Sequence, residues 1–534
     1  MTRFLPPVLF VFSLVLAQPQ GQVLWSQHGT DGIYSTTAIR DVNGDTRPEV
    51  VGAIYYANYP SDPRKVYCLS GASGDTIWIS RESYGTWGNK GIDWSADLNA
   101  DGIEDIILGT AGTYIPPGRS CIAIDGATGA NLWVFPFGEE RGWCYTVKAF
   151  RMADGTPVDI DGDSVPEVLA SAGGITNDRR GTAIALSGRT GDSLWAFRPS
   201  YDGAQCIAPF DDVDADSVPD VVVGAGGNGY DNRVFCLSGR NGDSLWAFET
   251  DNSVQDVEMI RDVNASGFSD CLAGGWADSV FCLEGQDGSL IWACDIGTVV
   301  MEIVPCGDLD RDSVMDIVVG SWSSSVYVLS GADGSIIWAG SVGADVWAVD
   351  TLADVTMDGI PEVAAGCLGG GTGVARVFDG AKGDVLWSYT FNERVYDLTG
   401  IPDVNRDGLA DLAVGLQDHG NQADHFYCFS GLPGSGVVSE RTSDMYPETS
   451  IRFCPQDRTL LLDVPEGHRY QLRLYDAIGR QVGRTVRGVG SDTTGRLRLD
   501  DIASLASGTY FADLVLEDGR SASVKLIRLS SNKR

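Results

Sequence analysis

The chain has 534 residues, a formal net charge of −35, 43% hydrophobic and 21% charged residues, and 67 glycines. That composition can bury a core while turning often, which excludes a disordered or collagen-like chain and favours short-stranded β architecture. The acid argues against nucleic acid or an anionic membrane as partner, and the length suits one large repetitive domain plus a small one.

In chain order, Arg3, the apolar run Leu5 to Leu16 and Val15-Leu16-Ala17 before Gln18 read as a signal peptide over residues 1–17. The run is too short to be read first as a membrane anchor, and no later stretch approaches a spanning length. An exported mature chain without a transmembrane segment is expected. Val23-Leu24-Trp25 then opens a repetitive region in which Trp78, Trp133, Trp195, Trp246, Trp292, Trp338 and Trp387 recur at about 46–62 residues, the spacing of propeller blades. An apolar strand and a glycine turn precede each of them, as in Val66–Asp75, Val234–Asp243 and Val326–Ser335. These segments predict hairpins, with glycine where positive φ is needed.

Each repeat also carries an acidic loop with oxygen-bearing residues at positions one, three, five and nine. They are Asp41, Asn43, Asp45, Glu49; Asp97, Asn99, Asp101, Asp105; Asp159, Asp161, Asp163, Glu167; and Asp212, Asp214, Asp216, Asp220. The series continues with Asp262, Asn264, Ser266, Asp270; Asp308, Asp310, Asp312, Asp316; Asp354, Thr356, Asp358, Glu362; and Asp403, Asn405, Asp407, Asp411. Calcium prefers several hard oxygens, and alternate residues of a tight loop can converge on one ion while a later carboxylate closes the shell. Several structural calcium ions are therefore expected, the loop at Asp262 being weakest because Ser266 replaces a carboxylate. Gly fills position six only as Gly102, Gly267, Gly359 and Gly408, so the loops with Ser or Thr there are expected to turn differently or bind less tightly. After the loop comes a continuous apolar run such as Asp220-Val-Val-Val-Gly224, the pattern of a strand buried on both faces.

The last repeat reaches Phe426–Ser435 without a Trp, while Trp25 has no hairpin before it. The N-terminal strand is expected to complete the last blade and so remove two sheet edges. The fold class that follows is all-β: an eight-bladed β-propeller over 23–437 with its N-terminal strand closing the last blade, a linker at 438–449, and a small Ig-like β-sandwich over 450–534. The tail is basic, with 14 Lys and Arg against 10 Asp and Glu from Ser450 onward, so the acid belongs to the long domain. Cys68, Cys236, Cys282 and Cys428 fall at one place in successive repeats, too far apart to pair, and read as buried thiols.

Two families are resembled by these motifs. The Asp-x-Asn/Asp-x-Asp-Gly loops followed by an apolar strand resemble FG-GAP repeats of integrin-type propellers. The strand-Gly-x-x-Gly-Asp-x-Leu-Trp hairpins resemble quinoprotein-type repeats, though the adjacent cysteine pair of quinoprotein dehydrogenases is missing. In the tail, Leu472–Arg480, Leu505–Phe511 and Val524–Arg528 resemble C-terminal sorting domains of type IX secretion cargo and related Ig-like modules. The resemblance implies a protein at or beyond the surface of a Gram-negative bacterium, with secretion machinery as the partner of the tail.

No His-Glu-x-x-His, Gly-x-Ser-x-Gly or phosphate-binding loop is present. Of four His, His419 and His425 flank the last repeat's Asp418–Asp424 loop and read as surface residues. Six residues before the loop starts stand Asp256, Glu302 and Asp397, with Trp347 and Tyr396 one residue earlier on their own strands. On inner strands these would line a central channel as an acidic and aromatic funnel for a ligand, or else hydrogen-bond within and between blades. The leading expectation is a non-catalytic exported propeller that binds a protein or glycan, in the manner of an adhesin. The alternatives are a polysaccharide-active enzyme similar to calcium-bearing rhamnogalacturonan lyases, and a quinoprotein dehydrogenase.

Overall fold

The computed structural model describes residues 20–434 except 28–31, 55–64, 82–85, 87–88, 112–118, 139–141, 153, 174–180, 201, 228–230 and 418–424. It also describes 450–528 except 455–458, 464–468, 477–480, 490–494, 499–507 and 517–520. The leader at 1–17 and the linker at 438–449 lie outside the described residues. The chain divides into two compact units, Met1–Leu432 and Pro433–Arg534.

In the first unit, six four-stranded sheets follow one another along the chain, over residues 33–80, 92–136, 143–197, 203–249, 254–295 and 300–341. Strands within each pair antiparallel, in chain order. A seventh, eight-stranded sheet holds the four strands of 346–391 and then Gln20–Gln27, Phe426–Gly434, Asp411–Leu416 and Val395–Ile401. The N-terminal strand thus lies beside Phe426–Gly434, in the outer position that a Trp strand holds elsewhere, and meets Val385–Phe391 through one parallel pairing, Gln20 with Ser388. The first strands of successive four-strand sets touch one another in turn, and Val395–Ile401 returns to Ile33–Ile39.

Sequence pattern accounts for the layering. Second strands such as Val221–Gly226 and Asp411–Leu416 are buried at every residue, as their unbroken apolar character predicts. Their glycines let the next set approach: a Cβ at Gly224 would lie 2.6 Å from Val254 Cγ1. The tryptophans tie each set to the following one. Trp25 Nε1 donates to the Gly71 carbonyl at 2.7 Å, and the same bond runs from Trp78 to Gly126, Trp133 to Gly188, Trp195 to Gly239, Trp246 to Gly285, Trp292 to Gly331, Trp338 to Gly380 and Trp387 to Gly431. Because Trp25 lies on the N-terminal strand and bonds the first hairpin, the series returns to its start. Each such buried bond is worth about 1 kcal/mol net, and each ring packs on the turn it reaches.

The second unit contains two antiparallel sheets. One holds Ser450–Cys454, Thr459–Asp463 and Gly495–Arg498; the other holds Gln481–Val489, Arg469–Asp476, Gly508–Leu516 and Ser521–Arg528. Among the described residues no helix is long and apolar enough to cross a membrane.

Candidate metal loops and central cavity

All eight acidic loops join a first strand to a second, and they share one backbone. In the first, Asp41 Oδ1 accepts the N–H groups of Gly44 and Asp45 at 2.7 and 3.1 Å, and Oδ2 accepts that of Thr46 at 2.6 Å. Asn43 Oδ1 accepts from Asp45 N–H and Asp45 Oδ1 from Arg47 N–H, both at 2.9 Å. Positions four and six are left-handed in every loop: Gly44 and Thr46, Ala100 and Gly102, Gly162 and Ser164, Ala215 and Ser217, Ala265 and Gly267, Arg311 and Ser313, Met357 and Gly359, Arg406 and Gly408. The expectation that the Ser and Thr loops turn differently is therefore overturned. Residues other than glycine accept positive φ here because side-chain oxygens at positions one, three and five over-determine the turn.

The carboxylate at position nine is buried in each loop: Glu49, Asp105, Glu167, Asp220, Asp270, Asp316, Glu362 and Asp411. In six loops it ties the loop to the hairpin by accepting the N–H of Gly71, Gly126, Gly239, Gly285, Gly331 or Gly431. Asp105 Oδ2 accepts Leu98 N–H at 2.7 Å and Oδ1 accepts Gly126 N–H at 3.0 Å, the same Gly126 whose carbonyl receives Trp78. Burial raises these acids, Asp105, Asp220, Asp270 and Asp316 to about 6 and Glu167, Glu362 and Asp411 to about 7. In two Glu loops one oxygen bonds two N–H groups at the start of the loop, leaving Glu167 Oε2 and Glu362 Oε2 buried without a partner. Carboxylate oxygens of Asp159, Asp161 and Glu167 lie within 4.8 Å of one another, as do those of Asp212, Asp214 and Asp220, and of Asp308, Asp310 and Asp316. These clusters could hold metal ions. An all-oxygen donor set with orphaned buried carboxylate atoms fits a hard cation.

Two loops carry a resident cation of their own: Arg189 Nε reaches Asp163 Oδ2 at 2.8 Å and Arg240 Nε reaches Asp216 Oδ2 at 2.7 Å. In the loop at Asp262, Glu284 comes in from the hairpin turn. It accepts from Ser266 Oγ at 2.9 Å and from Asn264 Nδ2 at 2.5 Å, so a carboxylate stands beside the position that Ser266 left without one.

On the first strands, Asp256 Oδ2 accepts Ile303 N–H at 2.8 Å, Glu302 Oε2 accepts Val349 N–H at 2.9 Å, and Asp397 Oδ2 accepts Thr36 N–H and Thr36 Oγ1–H at 2.6 and 2.9 Å. Each carboxylate satisfies an edge donor of the next first strand, and Asp397 does so across the join between the chain's last and first sets. Asp350 and Asp93 repeat the tie to Gly400 and Ala149 at 2.8 and 3.0 Å. Trp347 and Tyr396 pack at 5.7 Å between ring centroids, and Tyr396 stacks on Tyr34 at 3.8 Å. Sequence reasoning missed Lys90, Lys148, Glu258 and Asp350. Lys90 Nζ sits 2.6 Å from both oxygens of Asp256 and 2.7 Å from Glu258 Oε1, with Lys148 Nζ 3.4 Å from the same Glu258 oxygen. Glu258 was within reach of the strand period, being two residues beyond Asp256 and so on its face. Lys90, in the turn Asn89–Gly91, carried no such signal.

His425 is buried, not a surface residue, because it enters the strand ladder: its carbonyl accepts Leu416 N–H at 2.9 Å. His419 lies outside the described residues. Cys68, Cys236, Cys282 and Cys428 are buried free thiols.

No protein-family model matches the sequence, and no curated protein matches it. Among solved structures the chain is similar to Saccharomyces cerevisiae Sqt1, with TM-score 0.51 at 10% identity over 77% of this chain and 100% of that one. It is also similar to the C-terminal WD40 domain of Sif2, with TM-score 0.50 at 15% identity over 78% of this chain and 99% of that one. At such identity the likeness establishes the fold alone: the chain is a β-propeller repeat protein.

Proposed function

We propose that this protein is an exported, calcium-stabilised, eight-bladed propeller of the FG-GAP and quinoprotein-like kind that works as a non-catalytic surface binding protein, with an Ig-like tail that addresses it to type IX secretion. The ions are structural in this reading. One loop geometry repeated in every set suits a scaffold rather than a unique active site, and an ion bound to the native loops stabilises them by linkage. The residues that would hold it are those at positions one, three, five and nine.

The observation that carries the binding role is an exposed aromatic pair. Trp276 and Trp322 follow the second strands of neighbouring sets, at the end opposite the acidic loops, and remain 42% and 39% exposed with ring centroids 4.9 Å apart. Large apolar side chains left in water in this way mark protein or glycan contact sites. The test is a glycan-array and surface-protein capture screen of the mature chain beside its Trp276→Ala/Trp322→Ala variant, with metal content measured by mass spectrometry. Calcium bound to the chain and a ligand lost in the variant support the reading; a calcium-free chain, or a ligand indifferent to both substitutions, overturns it.

A further inference from the structure

The first strands line a cavity of about 290 Å³ that opens to solvent, its walls including Lys90, Lys148, Glu258, Glu302, Asp350 and Asp397. Its charges are unevenly matched. Lys90 is taken up by Asp256 and Glu258, whereas Glu302, Asp350 and Asp397 have no cation within salt-bridge distance among the described residues. Glu302 and Asp397 are only 7% and 5% exposed, yet each spends one oxygen on the neighbouring strand and leaves the other, Glu302 Oε1 and Asp397 Oδ1, without a hydrogen-bond partner among the described residues. Lys148, also in the cavity lining, makes a single ionic contact among the described residues, the long one to Glu258, and keeps donors to spare.

We infer that this cavity is a binding site for a small primary ammonium compound bearing hydroxyl or carboxylate oxygens, its ammonium held by Glu302 and Asp397 and its oxygens by Lys148. A buried carboxylate without a counter-charge is costly and is relieved by a proton or a cation. Burial accordingly pushes Glu302 up to about 8 and Asp350 to about 6, despite the attraction of Lys90. A divalent metal is disfavoured because it would need six or more oxygens and would stand in a chamber that two ammonium groups already share. The volume corresponds to roughly ten water-sized groups, the size of a monosaccharide or an amino acid rather than of a bare ion.

The site is separate from the metal loops and rests only on the reading of the ring as a binding scaffold. Isothermal titration of the calcium-loaded full chain with glucosamine and with lysine tests it, N-acetylglucosamine and butylamine serving as comparisons and Glu302→Gln and Lys148→Met as variants. Expected is one-to-one binding of glucosamine or lysine with Kd below about 1 mM, no binding of N-acetylglucosamine, and at least a tenfold loss in Glu302→Gln, whose amide still accepts from Val349. Lys148→Met should weaken that ligand yet spare butylamine. Silence from both amines at 10-fold higher concentration, equal binding of N-acetylglucosamine, or equal binding by both variants overturns the inference. Metal content and melting of each variant, measured alongside, keep a failure of the calcium scaffold distinct from a failure of this site.

Discussion

Replacing Gly334 by alanine should cost far more than replacing Gly297 by alanine, although both glycines have φ of +74°. Alanine in that left-handed region costs about 1–2 kcal/mol wherever it stands. At Gly297 nothing lies within 4 Å of the added Cβ, so the cost should end there. At Gly334 the Cβ would fall 2.5 Å from Trp292 Cε3, a distance no real contact adopts. The indole must move, and its 2.8 Å bond to the Gly331 carbonyl goes with it. Leaving that buried carbonyl unpaired adds about 1–3 kcal/mol and the lost ring packing adds to it, for a total of about 3–5 kcal/mol. Urea midpoints of the two variants, followed by Trp fluorescence and converted through the wild-type slope, measure the difference. Equal midpoints would refute the view that the Trp–Gly contact holds neighbouring sets together.

Three further outcomes are expected. Ser313→Gly should raise the melting temperature of the calcium-loaded protein, since Ser313 holds φ of +76° and glycine removes up to about 1 kcal/mol of strain. Between pH 4.5 and about 8 the native state binds more protons than the unfolded chain at Glu302, which faces Lys90, Asp256, Glu258, Asp350, Asp397 and Lys148, so its contribution falls as pH rises through that window; Glu302→Gln should flatten the melting curve against pH there. Deleting residues 20–27 removes the strand beside Phe426–Gly434 together with the Trp25–Gly71 bond, and limited proteolysis should then cut first in the last repeat, followed by mass spectrometry of the fragments.

The repeat was legible because it is written in residues that cannot be exchanged freely. Trp, the paired glycines and the spaced acids recur at fixed offsets, and in six sets one glycine N–H meets the position-nine acid while its carbonyl meets the preceding Trp. The continuous apolar runs gave the buried second strands for the same reason. What escaped the sequence is what only the ring brings together. Lys90 and Asp256 are 166 residues apart and meet across the cavity. Glu284 lies beyond the loop it supplies, and the left-handed turns at Ala215 and Ser217 or at Arg311 and Ser313 have no glycine to announce them. His425 looked solvated because its neighbours are polar, whereas burial is set by the strand that begins after it.

Placing the first strand beside the last has a consequence for how the chain matures. The bond from Thr36 to Asp397 spans 361 residues, and Gln20–Gln27 lies between Val385–Phe391 and Phe426–Gly434, strands formed only from the far end of the repeat region. A chain truncated before the last repeat would leave bare the strand edges that this pairing covers, and bare edges can pair with other chains. Closure therefore rests on contacts of very large sequence separation, the kind that slows folding.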